Sequence, residues 1–561
     1  MMSFINESII YNIYPLGFCG APIMNDNKQE YRLDKIYEWI DHYKELRVNA
    51  IVFNPVFEST KHGYDTRDYY KIDKRLGDNQ SFKRICDTLH SNGIKVILDG
   101  VFNHVGREFW AFKDVQEKGS NSPYCGWFQN LNFGGSSPYG DPFWYEGWAG
   151  HYDLVKLNHH NRDVVNHLLG AVSFWIDEFD IDGLRLDVAD CIDVNFFKEL
   201  RALCKSKKSD FWLYGEIIHG DYTRYANPEA LDSVTNYECY KGIYSSHNDH
   251  NYFEIAHSLQ RQFGGAYGGG IYRNIYTYNF VDNHDVNRIA STLRDKNHLA
   301  NVYTLMYTMP GVPSIYYGSE YAIEGVRSNT SDEALRPCLD FHNLVNPNLE
   351  LCSFLGRLGK ARLGLKAVKY GTFENVNIKN EQLVYKRQYE DQTVYIALNL
   401  AAEDKNMDFK VDGDTYLVDV LNNYETFQAN GWANISIPAY SARILVQGSA
   451  DFRLPEDQCQ NSEPQQEAPA AEEITETPVA EEPAVEVEEV PVPQPVHLGR
   501  YRHFKGGEYE VVGIAKHSET GAEMVVYKNA MDGSLWVRPY AMFNEVIERD
   551  GKKMLRFAPM D

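Results

Sequence analysis

The stretch DGLRLDVAD, residues 182–190, places three aspartates and one arginine in a largely apolar segment that has the pattern of a buried strand. Burying a charged side chain is costly unless the charge is paired or used. Side chains two residues apart on a strand face the same side, so Arg185 and Asp187 are predicted to point together. Pairing with Arg185 would keep Asp187 ionised, and an ionised, oriented carboxylate is a nucleophile or a metal ligand. A structural ion pair is the alternative for this segment.

Other strand-like runs end in the same types of side chain: Asp99 with His104, Glu216, and His284 with Asp285. Carboxylates beside histidines and an arginine are the groups that acid–base and nucleophilic catalysis use. One such strand end is weak support for an active site. Their recurrence on separate strands indicates that they meet at one site.

The first three fifths of the chain has an alternation of strand-like and helical segments that would bring the strand ends together. Eight apolar strand-like runs alternate there with amphipathic helical patterns, at 9–18, 49–57, 94–104, 181–188, 211–218, 233–237, 275–285 and 311–318. Such alternation predicts an α/β fold with a parallel sheet. Eight units of this length predict a (β/α)8 TIM barrel, whose active site lies at the carboxyl ends of the strands.

The remaining patterns divide the chain into further regions. We predict a catalytic barrel over 1–370, an inserted B domain over 105–160, an antiparallel β-sandwich C domain over 371–449, a disordered acidic linker over 450–497 and a small β-barrel-like domain over 498–561. The insertion is rich in Gly and aromatic residues and poor in helical period. The linker is rich in proline and has little from which to build a core.

Composition excludes several classes of function. The net charge is −24, and 13 acidic residues against one basic residue lie in 451–496. The sequence contains no basic patch of the kind that binds nucleic acid, so we expect no nucleic-acid partner. Nine scattered cysteines without a C-x-x-C pair argue against a disulfide framework or a zinc site. No signal peptide or long apolar run is seen, so we expect a cytoplasmic protein without membrane association.

Four motifs in fixed order carry a resemblance to a known family: DGVFNH (99–104), GLRLDVAD (183–190), GEIIH (215–219) and FVDNHD (280–285). Together they closely resemble the alpha-amylase superfamily, glycoside hydrolase family 13. The resemblance covers roughly residues 8–447. LVKLN (154–158) and the run before it are most similar to the neopullulanase, cyclomaltodextrinase and maltogenic amylase branch.

The resemblance implies a role for each motif residue. Asp187 would be the nucleophile, Glu216 the general acid/base, and Asp285 a third carboxylate that stabilises the transition state. It also implies four substrate-binding residues around the sugar before the scissile bond: Tyr64 stacking on it, His104 and His284 hydrogen-bonding it, and Arg185 orienting the nucleophile.

The implied function is a retaining α-glucan hydrolase that cleaves α-1,4 bonds of maltodextrins, cyclodextrins or starch-like glucans, with α-1,6 cleavage left open. A glucan transferase or a sucrose-cleaving relative is the alternative. A non-catalytic binding protein is disfavoured because all three carboxylates are retained.

Departures from the branch leave other points open. The barrel begins within the first dozen residues, without the relatives' N-terminal β-sandwich, so their dimer is in doubt and the oligomeric state stays open. Asp190 and Cys191 stand where many relatives have Asn-Glu, which leaves acceptor preference open. No cofactor is expected to be required. Calcium, which would use Asn103 and a longer insertion, is left open but not favoured.

The last 64 residues resemble a small bacterial family known only as a domain of unknown function. Tyr501 and Trp536 are candidates for a carbohydrate-binding face. The favoured alternative places these aromatic residues in the core of a small barrel.

Overall fold

Eight parallel strands form the predicted barrel in the computed structural model, which describes residues 4–265, 269–460, 496–504, 507–516, 523–530, 533–549 and 552–560. The strands are β1 Ile10–Ile13, β2 Ala50–Phe53, β3 Lys95–Gly100, β4 Gly183–Leu186, β5 Trp212–Gly215, β6 Ser233–Val234, β7 Tyr278–Asn279 and β8 Val312–Tyr316. They pair in the order β6–β5–β4–β3–β2–β1–β8–β7, and a parallel bridge between Thr235 and Tyr278 closes the ring. The predicted fold class is therefore confirmed.

Helices lie between the strands, as the alternation predicts. Their bounds are Pro15–Phe18, Ile40–Glu45, Asn79–Ser91, Arg162–Phe179, Val194–Lys207, Tyr237–Asn248, Tyr252–Phe263, Ile289–Thr292, Leu299–Thr308, Leu349–Gly364 and Lys366–Tyr370. Between β5 and β6 the chain forms the 3₁₀ helix Tyr222–Arg224 in place of an α-helix. Across the described parts of the chain, no helix combines the length and apolar character needed to cross a bilayer.

The insertion after β3 has a small sheet and an aromatic core of its own. Strands His104–Gly106, Gly147–Trp148 and His151–Lys156 pair antiparallel, and the helix Trp110–Lys118 packs beside them. Phe112 makes an edge-to-face contact with Phe128 and another with Tyr145, at centroid distances of 5.0 and 4.9 Å. Many of the aromatic residues in this segment are therefore structural.

The C domain is an antiparallel β-sandwich, as predicted. Its strands are β9 Thr372–Ile378, β10 Gln382–Tyr389, β11 Gln392–Asn399, β12 Lys405–Asp419, β13 Glu425–Ile437 and β14 Ser441–Gly448, paired in the order β9–β10–β11–β14–β12–β13. Its inner face buries Tyr395, Phe409 and Leu417. Asn301 donates a hydrogen bond of 2.8 Å to the carbonyl of Asn399, which joins the barrel to this domain.

The predicted linker, 450–497, begins too early. Leu454 is only 2% exposed, and the helix Pro455–Gln460 follows it. Arg47 donates to Glu456 at 2.6 Å, and Lys360 pairs with Asp457. Composition alone could not show that these side chains have partners in the barrel. The rest of the predicted linker, 461–495, lies outside the described residues.

The chain divides into two compact units, Met1–Pro464 and Gln465–Asp561. The second unit holds a five-stranded antiparallel sheet, formed by Gly499–His503, Glu508–Lys516, Glu523–Asn529, Leu535–Pro539 and Phe557–Pro559, and the hairpin Val546–Arg549 with Lys552–Leu555. Tyr501 belongs to its core at 6% exposure, whereas Trp536 is 53% exposed. The proposed carbohydrate-binding face is therefore wrong for Tyr501.

Asp182, the first aspartate of the stretch at 182–190, anchors the opposite end of the barrel. It precedes β4 and accepts hydrogen bonds from His90 at 2.8 Å, Lys95 at 3.0 Å and the backbone N–H of Val96 at 2.9 Å. Although burial raises it, the pKa of Asp182 is lowered overall by these donors. These contacts give Asp182 a structural role at the amino end of the strands, away from the end that carries the other carboxylates.

Candidate active site

Arg185 is the centre of a cluster of carboxylates at the carboxyl end of the barrel. Its Nη1 donates to Asp99 at 2.5 Å and to Asp187 at 3.2 Å, and its Nη2 contacts Glu216 at 2.8 Å. Asp99 and Arg185 lie side by side in the register of β3 and β4, and Glu216 follows β5. Parallel strands thus place three carboxylates from three strands on one guanidinium.

Asp99 links this cluster to the hairpin after β2. Its Oδ2 accepts from the Tyr64 hydroxyl at 3.0 Å and from Asn54 Nδ2 at 3.1 Å. The Asn54 amide in turn accepts from Asn12 Nδ2, on β1, at 3.1 Å. The sequence indicated Asp99 as a strand end but gave no role to it, to Asn54 or to Asn12. These residues hold Tyr64 and Arg185 in place.

His284 and Asp285 form the other side of the site. Tyr64 lies parallel to the His284 ring at 5.5 Å, and its hydroxyl is 2.5 Å from His284 Nε2. That nitrogen is 2.9 Å from Asp285 Oδ2, while Arg336 donates to Asp285 Oδ1 at 2.9 Å and to the His284 carbonyl at 3.0 Å. Arg336 also covers the ring of Tyr14 at 4.6 Å. Sequence reasoning missed Arg336 and Tyr14.

His104 presents an unpaired nitrogen to the same site. Its Nδ1 accepts from the Asn103 side-chain amide at 3.1 Å, so the proton sits on Nε2, which is buried without a hydrogen-bond partner among the described residues. The Tyr64 backbone lies beside the ring, and Trp148 stacks on it at 5.6 Å. Burial lowers the pKa of His104 to about 3. A neutral histidine with an unused donor is suited to binding a sugar oxygen.

The backbone after the nucleophile candidate is strained. Val188 has a φ of +38°, a left-handed conformation that β-branched residues rarely adopt. Such strain costs on the order of 1–3 kcal/mol and persists where surrounding structure enforces it. The turn aims the Val188 N–H at Glu216 Oε2, at 3.3 Å. It therefore ties the chain beside Asp187 to the acid/base candidate.

The carboxylates of the site differ in their affinity for protons. Burial, together with three neighbouring carboxylates, raises the pKa of Asp187 well above its usual range. Arg185 lowers this pKa, but by less than the other effects raise it. Arg185 is shared among three carboxylates, so its pairing with Asp187 is weaker than an exclusive ion pair would be, and the ionisation of Asp187 stays a prediction. Burial also acts on Asp285, but His284 and Arg336 lower its pKa overall. Asp285 therefore favours the ionised form, whereas Asp187 holds a proton more readily than an ordinary aspartate does.

Two cavities are lined by residues of the loops around this end of the barrel, although the carboxylates themselves do not line either one. One, of about 1100 Å³, is lined by Tyr14, His62 and Arg336. The other, of about 450 Å³, is lined by Asp190 and Cys191. Asp190, the position at which many relatives have Asn, thus lines the smaller cavity.

The residues around Asn103 are a poor match for a structural calcium ion. Asn103 Oδ1 is buried and has no hydrogen-bond partner in the described part of the chain, as a ligand atom would in the absence of its ion. However, the adjoining cavity is also lined by Lys156 and Arg224, whose charges oppose a cation. Within the described ranges, no group of three or more His, Cys, Asp or Glu side chains is placed to hold a metal.

The structure therefore brings the predicted residues to one end of the barrel: Tyr64, His104, Arg185, Asp187, Glu216, His284 and Asp285. Their contacts agree with the proposed division into a carboxylate cluster and sugar-binding side chains. The roles themselves remain predictions.

Comparisons with known proteins agree with this geometry. The catalytic domain described as Alpha amylase matches residues 13–343, Maltogenic Amylase, C-terminal domain matches 373–444, and a protein family of unknown function, DUF1653, matches 499–559. The second and third matches fall on the sandwich and on the small C-terminal sheet.

Individual relatives carry enzyme names. A maltogenic alpha-amylase of Bacillus acidopullulyticus is 31% identical over 470 residues, which are 79% of this chain and 77% of that one. A cyclomaltodextrinase of Thermoanaerobacter pseudethanolicus is 32% identical over 420 residues, or 70% of each chain. The structure of an alpha-amylase from Geobacillus thermoleovorans superposes with a TM-score of 0.66 at 26% identity, covering 79% of this chain and 99% of that one. Because the catalytic-domain model of the alpha-amylase family matches more than half of this chain, the chain belongs to that family of glycoside hydrolases.

Proposed function

We propose that the protein hydrolyses α-1,4 glucosidic bonds of maltodextrins or cyclodextrins and retains the anomeric configuration. The observation that carries this proposal is that one guanidinium, Arg185, contacts both Asp187 and Glu216. Retaining enzymes hold their two carboxyl groups about 5–5.5 Å apart, whereas inverting enzymes separate them to admit a water molecule. A pair held by a single arginine favours the closer spacing. The enzyme names of the relatives support the substrate class.

In the first step, Asp187 attacks the anomeric carbon while Glu216 gives a proton to the departing oxygen. The step needs a proton on Glu216 and an ionised Asp187. Because both carboxylates share Arg185, that proton can reside on Glu216 without changing the net charge of the cluster. In the second step, the Glu216 carboxylate takes a proton from water, which attacks the glycosyl-enzyme and releases the sugar with its configuration retained.

The sugar before the scissile bond would lie between three side chains of the site. His104 Nε2 is a donor that has no partner in the described part of the protein, and a sugar hydroxyl would accept a hydrogen bond from it. His284 contributes a ring held by Tyr64. Asp285, ionised and one-third exposed, places negative charge beside the forming oxocarbenium ion.

The two cavities would hold the two ends of the glucan. Glu216 protonates the leaving sugar, and the backbone of residues 188–191 lies beside it, so the Asp190 and Cys191 cavity is the acceptor side. The larger cavity, beside Asp285 and Arg336, is then the donor side.

A glucan transferase or a sucrose-cleaving enzyme uses the same carboxylates and is the second candidate. Asp190 and Cys191 on the acceptor side leave the choice between water and sugar acceptors open. Incubation with maltooligosaccharides, pullulan, cyclodextrins and sucrose, followed by separation of the products, distinguishes these activities. We propose that neither a metal nor another cofactor takes part.

The first-formed product is expected to be the α-anomer. Two inversions at the same carbon restore the starting configuration, whereas a single displacement by water gives the β-anomer. Proton NMR spectra recorded within the first minutes of maltotriose hydrolysis separate the two anomers before they equilibrate. A β-product would contradict the assignment of Asp187 as nucleophile.

We place the protein in the cytoplasm. The eight cysteines that the structure describes are unpaired, as reduced thiols would be. An intracellular maltogenic amylase of Bacillus subtilis is 31% identical over 328 residues.

We propose that the C-terminal unit contributes binding and no chemistry. A protein that ends after residue 460 is expected to keep its turnover of maltotriose, because the described site residues all lie before that point. Any loss should appear on long glucans, where a second binding site raises effective concentration. A comparison protein that ends after residue 449 should melt earlier, since it loses the buried Leu454, worth about 2 kcal/mol. If the protein that ends after residue 460 folds but no longer turns over maltotriose, the C-terminal unit helps to build the active site.

A further inference from the structure

Tyr237 connects three strand ends at the base of the site. It begins the helix Tyr237–Asn248, shortly after β6, and its hydroxyl donates to Glu216 Oε1 at 3.1 Å. The same hydroxyl accepts from Asn283 Nδ2 at 3.3 Å. Its ring packs edge-to-face on Phe280, at a centroid distance of 4.9 Å. The phenol is thus held between the acid/base candidate and the loop that carries Asp285.

The direction of these hydrogen bonds follows from the Asn283 amide. Its Oδ1 accepts from the backbone N–H groups of Asp285, at 2.8 Å, and Val286, at 3.1 Å. Its Nδ2 is therefore the end that faces Tyr237, and it can only donate. The Tyr237 oxygen accepts there, which directs the hydroxyl proton to Glu216.

The other oxygen of Glu216 is held as well. Oε2 contacts Arg185 Nη2 at 2.8 Å and accepts from the Val188 N–H at 3.3 Å. Donors on both oxygens fix the plane of the carboxyl group. A hydrogen bond from a hydroxyl to a carboxylate is stronger than one to a neutral acid, so the Tyr237 bond strengthens as Glu216 loses its proton.

We propose that Tyr237 is a positioning residue that holds Glu216 in the orientation needed to give and to take a proton, and that Asn283 fixes Tyr237. This inference rests on the proposed acid/base role of Glu216. As a glycosidic bond breaks, Glu216 becomes charged and the phenol stabilises it. In the second step, the same contact keeps the carboxylate aimed at the attacking water.

The test compares two substrates of Tyr237→Phe. Maltotriose needs a proton on its leaving oxygen, whereas fluoride leaves α-maltosyl fluoride without one. We expect kcat/KM for maltotriose to fall roughly tenfold or more, as loss of a hydrogen bond to a charged group implies. For the fluoride, kcat/KM should change by less than about twofold, because bond cleavage then needs no general acid. Tyr240→Phe is the matched control, since its ring also packs on Phe280, at 5.1 Å, and both substrates should be unaffected.

A second measurement reports the water-dependent step. The kcat for α-maltosyl fluoride should fall in Tyr237→Phe, because hydrolysis of the glycosyl-enzyme needs a base. Sodium azide should restore it with formation of a glycosyl azide, because azide attacks without giving up a proton. Glu216→Gln should show a larger fall in kcat/KM for maltotriose than Tyr237→Phe does. It should also show a larger fall in kcat for α-maltosyl fluoride, which azide again restores.

Other outcomes would overturn the inference. An equal fall in kcat/KM for both substrates would mean that Tyr237 acts on sugar binding or on the fold. No change for maltotriose would mean that the hydroxyl does not position Glu216. The proposed function fails separately, if the unaltered protein cleaves neither substrate.

Discussion

Asp187→Asn is expected to reduce the turnover of maltotriose by at least about 10⁴-fold, as loss of a covalent nucleophile does in other enzymes. The amide has the shape of the carboxylate but cannot form the glycosyl-enzyme. Arg185 keeps Asp99 and Glu216 as partners, so no buried charge is left unpaired. One fewer carboxylate on a shared guanidinium should leave the melting temperature unchanged or raise it. The measurements are kcat and thermal unfolding.

Asp177→Asn is the control for this substitution. Asp177 is an aspartate on the surface of helix Arg162–Phe179, 63% exposed and paired with Lys207. Its turnover should equal that of the unaltered protein. If Asp187→Asn folds and keeps more than about a hundredth of the turnover, the nucleophile has been assigned to the wrong residue.

The sequence predicted the barrel because buried parallel strands and amphipathic helices have distinct periods. It also predicted which residues face the barrel mouth, because parallel strands bring their carboxyl ends together. Arg185 and Asp187 lie two residues apart on or beside one strand, and this local rule placed both. The strand that carries His284 and Asp285 was predicted over 275–285. The observed strand is only Tyr278–Asn279, so His284 and Asp285 lie in the loop that follows it.

Other parts of the site depend on contacts that no local pattern contains. Arg336 comes from the loop after β8, in a stretch without helical or strand period, and reaches Asp285 only through the fold. The left-handed conformation of Val188 has no signal in the sequence, since a valine does not favour it. The sharing of Arg185 among three carboxylates could not be predicted either, because it depends on distances between side chains on separate strands.

Asp285→Asn is expected to lower kcat by about 10²- to 10³-fold, as loss of a fixed electrostatic contact to a transition state does. His284 and Arg336 hold this carboxylate ionised before the substrate arrives, so its charge needs no rearrangement during the reaction. The charge acts most strongly when the sugar becomes cationic, and less on the neutral substrate. The substitution should therefore change kcat far more than KM.

Two comparisons separate this role from a structural one. Asp332→Asn removes another carboxylate on Arg336, at 3.3 Å, and should affect KM more than kcat because Asp332 lines the donor-side cavity. Affinity for a cationic iminosugar, which resembles the charged transition state, should fall with kcat in Asp285→Asn, whereas affinity for maltose should stay near its original value. Arg336 keeps Asp332 as a partner in Asp285→Asn, so the fold should be retained. A folded Asp285→Asn protein with near-native kcat would make Asp285 a structural partner of Arg336, and the barrel mouth would then work with two catalytic carboxylates.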